Sequence, residues 1–447
     1  MTADATSPTA HPTAEPTSMR DLPMHTDNPR ARSPFVPVRP AMVMAMAFAV
    51  LALVWATWGG DLPGGRWLAV HLFTLGVLTT LVVALTHHFA QTLLHTPERG
   101  RVTPRLALVG GGAVLVLVGL PTDRRWLVGV GATALAAAVL WLYTDLRRMR
   151  RSSLTGRFPF VVRTYERACS AFIHGALLGA LMGVGALSGP WYGAARMAHL
   201  HLNILGWGGL TLLGTIVFFA PTVMRARMEP EADVAAARWL GRGATGLSVA
   251  ALGMLLTGLG GAWATAAGLL AASGLVVYAI GVAAVCLPVV RTGRRARSRH
   301  AARMLQATCA WFMIAVSADV VVVATGQVRL LEPLGAVMLV GVLGQAVLTA
   351  LAYLVPMAWA QGGPGRAAAL DRLAVWSRMR VAMLNGGLGL VAAAAAVGPA
   401  GGATWSASAR LGWLLVLTAV VLQLVLLAAA VMHPTAGSGG SHGHGGA

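Results

Sequence analysis

Val70-His71-Leu72-Phe73-Thr74-Leu75-Gly76 and Ala198-His199-Leu200-His201-Leu202-Asn203-Ile204-Leu205-Gly206 decide how this chain is read, because each sets histidine inside an apolar run. The two runs superpose at an offset of 130 residues. His71 then falls on His201, Leu72 on Leu202, Leu75 on Leu205, Gly76 on Gly206, Phe89 on Phe219, Ala90 on Ala220 and Thr92 on Thr222. A third copy follows at a further offset of 135, where Gly206 meets Gly341, Gly209 meets Gly344, Leu213 meets Leu348 and Pro221 meets Pro356. His201 meets Ala336 there, so the third copy carries no histidine.

Composition gives the setting for those runs. Of 447 residues, 56% are hydrophobic and 11% charged, with a mean hydropathy of +0.69, which is too apolar for a soluble protein of this size. A spanning helix needs roughly 20 mostly apolar residues. Apolar stretches near 40–59, 66–94, 105–121, 126–145, 168–188, 196–222, 239–259, 263–290, 302–325, 333–358, 380–399 and 408–432 predict twelve transmembrane helices. The histidine-bearing runs fall on the second and sixth of these, and their third copy on the tenth. One related helix in every four, always running the same way, predicts an all-α membrane protein of three four-helix repeats around a pseudo-threefold axis.

The net charge of +19 would suggest nucleic acid in a soluble chain. Its distribution points elsewhere. With the N-terminus inside, 28 of the 34 basic residues, all arginine, fall on inner segments, and the outer loops hold only Arg66, Arg124, Arg125, Arg196, Arg329 and Arg410. That asymmetry orients the chain with both termini cytoplasmic. The expected partner of those charges is the lipid bilayer, with no nucleic acid. Residues 1–39, rich in Pro and Thr, read as a disordered cytoplasmic tail, 40–432 as the membrane domain and 433–447 as a flexible tail with His433, His442 and His444.

Twelve helices, a three-by-four repeat and histidine on helices two and six resemble subunit I of the haem–copper oxidase superfamily. They are also similar to the NnrS-type haem- and copper-containing membrane proteins linked to nitric oxide metabolism. The resemblance covers residues 40–432 in topology and rests on the two histidine-bearing motifs. It implies haem and/or copper as cofactors, a redox or electron-transfer role in respiratory or nitric oxide metabolism, a redox protein or other membrane subunit as partner, and a bacterial inner membrane as the location. The oxidases place a His-His pair on helix seven and His-x-His on helix ten. Here Gly-Ala-Thr-Gly-Leu-Ser-Val-Ala and Gly335-Ala-Val-Met-Leu-Val-Gly341 stand in those places. The binuclear oxygen-reducing centre is therefore not carried over, and terminal oxidase activity is not expected.

Intramembrane ionisable residues are expensive and mark functional sites. His71, His199 and His201 form an outer layer; His87, His88, His95 and His174 form an inner one. His199 and His201 lie about 200° apart around their helix and cannot face one site. As repeat equivalents, His71 and His201 are expected to face the pseudo-axis or equivalent pockets, with His199 serving a neighbouring site. These three are the expected metal ligands, and they join His87 and His88 as candidate cofactor-binding residues. A plain interhelical hydrogen bond is the alternative for each. His71 and His88 lie about 25 Å apart along one helix, so a haem near each end would make an electron path across the membrane. His174 is a candidate to approach His87 or His88.

Asp319 is expected to pair with Arg329 or to carry protons. Gln345 and Tyr353 are candidate donors to a ligand, and Cys169, Cys286 and Cys309, widely spaced, read as buried apolar residues. Walker, GxSxG, HExxH and Rossmann patterns are missing. A transporter or channel that uses intramembrane histidine for proton coupling is the competing expectation.

Overall fold

The structure, a computed structural model, describes residues 34–96, 102–153, 158–296, 299–360, 362–397 and 402–432. Helices dominate, and no strand occurs among the described residues. Eleven of these helices are long and apolar enough to cross a membrane: α1 (Val36–Trp58), α2 (Gly65–Leu94), α3 (Val102–Gly119), α4 (Arg125–Ser152), α6 (Gly189–Met224), α7 (Ala232–Leu259), α8 (Gly261–Arg295), α9 (His300–Thr325), α10 (Leu331–Trp359), α12 (Ser377–Val397) and α13 (Ser406–Met432). Between α4 and α6 lies α5 (Pro159–Gly183), also long, whose first half is made polar by Arg163, Glu166 and Arg167. The short α11 (Gly362–Ala374) precedes α12. Large apolar side chains such as Val43, Leu252, Leu269, Ile314 and Val425 face outward, each more than half exposed. A bundle apolar on its outside as well as its inside suits lipid contact rather than water.

Three stretches inside these helices are π-helical: Leu72–Leu78 in α2, Leu202–Leu210 in α6 and Val337–Gly344 in α10. They begin at the 130- and 135-residue offsets at which the sequence superposes. A π turn widens the helix and loosens its hydrogen-bond ladder, and side chains make up part of the difference. The Tyr278 hydroxyl donates to the Leu205 carbonyl at 2.8 Å, the Thr79 hydroxyl to the Thr74 carbonyl at 2.8 Å, and Trp207 Nε1 to Thr79 Oγ1 at 3.1 Å. Leu78, Gly208 and Leu343, which superpose on one another, also meet. A methyl on Gly208 would lie 2.9 Å from Leu343 Cδ2 and 3.3 Å from Leu78 Cδ2.

Glycines set the remaining contacts. Gly76, Gly206 and Gly341, equivalent by offset, press on Phe48 of α1, Ala171 of α5 and Trp311 of α9 respectively. Gly112 of α3 meets Gly131 of α4, Gly246 of α7 meets Gly274 of α8, and Gly387 of α12 meets Gly412 of α13. In each pair a methyl on either glycine would come within 2.8 Å of the other's carbonyl oxygen. Backbones this close gain dispersion contacts where lipid offers no hydrophobic drive between helices.

The arginine-rich end of the bundle is tied by buried ions. Arg105, fully buried on α3, pairs with Asp145 of α4, lies 3.3 Å from His87 Nδ1 of α2, and stacks its guanidinium 5.2 Å from the Trp141 ring. Arg150 of α4 makes a forked pair with Glu166 of α5 at 2.6 and 3.0 Å. Removing one partner of such a buried pair destabilises by about 3–5 kcal/mol. Arg380 of α12 is likewise buried, on Gln423 of α13 and the carbonyls of Leu373 and Val375. Helix begins a few residues before the expected boundary at residue 40, since Val36–Val38 already form a turn leading into α1. The rest of the N-terminal tail, 1–33, and the tail 433–447 with its three histidines lie outside the described residues.

Candidate functional site

The outer histidines sit directly against the π segments. His71 closes the α-helical start of α2 and is followed at once by the π turn at Leu72; His201 stands in the same relation to Leu202. The His71 ring stacks on Trp67, one turn earlier, at 4.1 Å between centroids, and its Nδ1–H donates to the Trp67 carbonyl at 2.8 Å. Across the helix interface lies His199 of α6, with its ring nearly parallel to that of His71 at 22° and 6.5 Å between centroids. His199 Nδ1–H donates to the Gly175 carbonyl of α5 at 2.8 Å. Asn203 donates to the His199 carbonyl at 2.8 Å and holds that turn.

The hydrogen bonding settles which nitrogens are free. A carbonyl only accepts, so both Nδ1 atoms carry the proton and both Nε2 atoms carry a lone pair. Neither Nε2 has a hydrogen-bond partner among the described residues, and both side chains are only half-buried. Two imidazoles with fixed rings and open Nε2 atoms form a metal-competent pair. With metal–nitrogen bonds of about 2.0 Å and about 1.1 Å from nitrogen to ring centre, two imidazoles whose Nε2 atoms point at one ion from opposite sides have centroids about 6.2 Å apart. Among the described residues no group of three or more His, Cys, Asp or Glu gathers as a metal site. Two imidazole nitrogens are donors that copper(I) or a haem iron could use.

His201 has a different environment. Its Nδ1–H donates to the Met197 carbonyl at 2.8 Å, and its Nε2 lies 3.0 and 3.2 Å from the two carboxylate oxygens of Asp319 on α9. Both residues are almost fully buried, at 6% and 3% exposure. Since Nδ1 holds one proton, the second lies between Nε2 and the carboxylate. With that proton in place the pair is neutral, whether written as imidazolium–carboxylate or as imidazole–carboxylic acid. Both ring nitrogens are thus engaged, and Asp319 pairs with this imidazole rather than with Arg329. His71 and His201 stand at equivalent places beside their π segments, and the imidazole next to His71 is that of His199.

The difference traces to one position. Asp319 stands eight residues after Trp311, the residue packed on Gly341; eight residues after Ala171, packed on Gly206, stands Gly179. A methyl on Gly179 would lie 2.7 Å from His199 Cε1. Where α9 offers His201 a carboxylate, α5 presents Gly179 to the His199 ring, which packs closely on it.

The inner histidines do not join into one site. His87 is buried beside Arg105, His88 lies against Phe35 at 5.0 Å between ring centroids, and His95 is exposed where it ends α2 in the left-handed conformation at φ 51°. His174 is exposed on the bundle surface with its Nδ1 on the Ser170 carbonyl, away from His87 and His88. Gln345 donates to the Met304 carbonyl at 2.9 Å, and Tyr353 packs edge-on against Phe219. All three cysteines are buried and free. Sequence reasoning missed Arg105, grouped with loop arginines because Arg99 and Arg101 precede it, and missed His300, which lines a cavity at the arginine-rich end. No protein-family model matches the chain, and no curated protein matches it either.

Proposed function

We propose that this chain is a haem- and/or copper-binding multi-pass membrane protein with a redox or electron-transfer role, in keeping with its resemblance to the haem–copper oxidase and NnrS-type proteins. The carrying observation is the His71–His199 pair: parallel rings 6.5 Å apart, each fixed through Nδ1 to a carbonyl. His71 and His199 would hold the metal. A bound copper or haem iron would supply one-electron chemistry, while Trp67 and the Gly175 carbonyl fix the orientation of the rings. Twelve spans, with α5 as the twelfth and α11 outside the count, arranged as three four-helix units, are part of the same reading. The recurring π segments and glycine contacts support it, and the mutual contact of the equivalent residues Leu78, Gly208 and Leu343 suits a pseudo-threefold axis running beside them. The location proposed is a bacterial inner membrane with both termini cytoplasmic, and a redox partner would deliver or take electrons there.

An absorption spectrum and metal analysis of one purified sample test this. Wild type is expected to carry a Soret band or stoichiometric copper, lost in His71→Ala and His199→Ala and retained in His201→Ala. A well-folded, colourless, metal-free wild type would end the proposal. The buried His201–Asp319 pair favours a second reading, a proton-coupled transporter, because it holds one shared proton in a neutral pair within the bundle. Proton-coupled flux in liposomes that survives loss of His71 and His199 but not of Asp319 would select that reading.

A further inference from the structure

We propose that the cavity at the arginine-rich end of α6, α9, α10, α11 and α12 binds a phosphate-bearing anion. The cavity measures about 750 Å³, within the usual range for a ligand site. Arg225, in the left-handed conformation at the end of α6, Arg303 in the first turns of α9 and Arg378 in the first turn of α12 converge on it. One carboxylate, Asp371, shares the lining, and none of the three arginines forms an ion pair among the described residues. Three arginine charges around one space, against a single carboxylate, make it attractive to an anion.

His300 sharpens the chemistry. Its Nδ1 meets Ser377 Oγ at 2.7 Å, which ties α9 to α12; the residue lines the cavity, and its buried Nε2 has no hydrogen-bond partner among the described residues. With Nδ1 accepting from the serine hydroxyl, Nε2 carries a hydrogen and lacks an acceptor. A phosphate oxygen supplies one, and arginine forks match its remaining oxygens. The rest of the wall is apolar, with Ala352, Leu373 and Met379 below and an exposed Trp376 at the mouth. Two sources share this chemistry: the headgroup of an anionic phospholipid, and a soluble phosphate ester or polyphosphate.

Purified full-length chain in detergent separates them, with binding read by native mass spectrometry and tryptophan fluorescence. The probes are dihexanoyl phosphatidylglycerol, dihexanoyl phosphatidylcholine and inorganic pyrophosphate. Saturable binding of the phosphatidylglycerol but not the phosphatidylcholine is expected. It should weaken about tenfold in Arg303→Gln and further in the triple variant Arg225→Gln/Arg303→Gln/Arg378→Gln. Arg238→Gln, exposed on α7, should leave it unchanged. Pyrophosphate binding with the same dependence on the three arginines would support the site with a soluble ligand. If the triple variant does not fold, the exposed Arg378→Gln alone carries the test. Equal binding of phosphatidylcholine, binding that ignores these arginines, or no binding of either anion would overturn the proposal.

Discussion

Gly179→Ala adds one methyl to α5, at the position where α9 carries Asp319. The added carbon would lie 2.7 Å from Cε1 and 3.0 Å from Nδ1 of His199. Carbon atoms rest comfortably at about 3.5–4 Å, so the ring must withdraw by roughly 1 Å. Its Nδ1–H bond to the Gly175 carbonyl, now 2.8 Å, then stretches beyond the limit at about 3.5 Å where such a bond holds. Overpacking costs about 1–3 kcal/mol and the lost hydrogen bond about 1 kcal/mol. A destabilisation of roughly 2–4 kcal/mol is expected, nearly all of it dependent on the His199 ring. Chemical unfolding in detergent of wild type, Gly179→Ala, His199→Ala and the double variant forms the cycle that isolates that coupling. The same displacement exceeds the roughly 0.2 Å tolerance of a metal site, so copper or haem content should fall with stability. A Gly179→Ala protein as stable as wild type, or a methyl equally costly when His199 is alanine, would refute the reasoning.

Asp319→Ala leaves His201 Nε2 buried without a partner and should destabilise by about 2–4 kcal/mol, with Asp319→Asn intermediate; unfolding midpoints that fail to follow wild type, Asn, Ala would contradict the pair. Gly246→Leu drives a side chain into the Gly274 carbonyl and should lower stability by about 3 kcal/mol, whereas Gly268→Ala, with nothing within 4 Å, should be neutral or raise it by up to about 1 kcal/mol. Single cysteines at 295 and 329 should react with membrane-impermeant thiol reagents from opposite sides, against the low background of three buried native cysteines; labelling from one side would break the topology.

Apolar run length and arginine placement made the helices legible, because crossing lipid leaves a 20-residue chain few alternatives. The superposition of Gly76, Gly206 and Gly341 was legible too, and each proves to be a contact point. What lay out of reach has a physical cause. A π segment has no hydrophobic period of its own, so nothing in Leu72–Leu78 distinguishes it from α-helix. The reciprocal glycine contacts left only Gly110–Gly112 as a visible trace, and Gly131, which completes that pair, belongs to no glycine run. Arg105 reads as a loop charge until Asp145, forty residues on, is seen to pair with it.

For the site, helical angles alone separated His199 from His201, since residues two apart cannot share a face. They could not choose the neighbours, because the deciding residues lie on α5 and α9 and belong to no motif. Equivalence in a repeat predicts equivalent position, and His71 and His201 do occupy it, each at the mouth of a π segment. It does not predict equivalent chemistry. One copy meets Asp319 and has both ring nitrogens engaged; the other stacks on Trp67 beside His199 and keeps an open Nε2. The third position, Ala336, has no imidazole to offer. His201 has both ring nitrogens engaged and position 336 has no imidazole, so of the three superposed positions His71 alone keeps an open Nε2, with His199 beside it. That restriction makes His71 and His199, rather than the two equivalent histidines, the pair on which the redox proposal stands or falls.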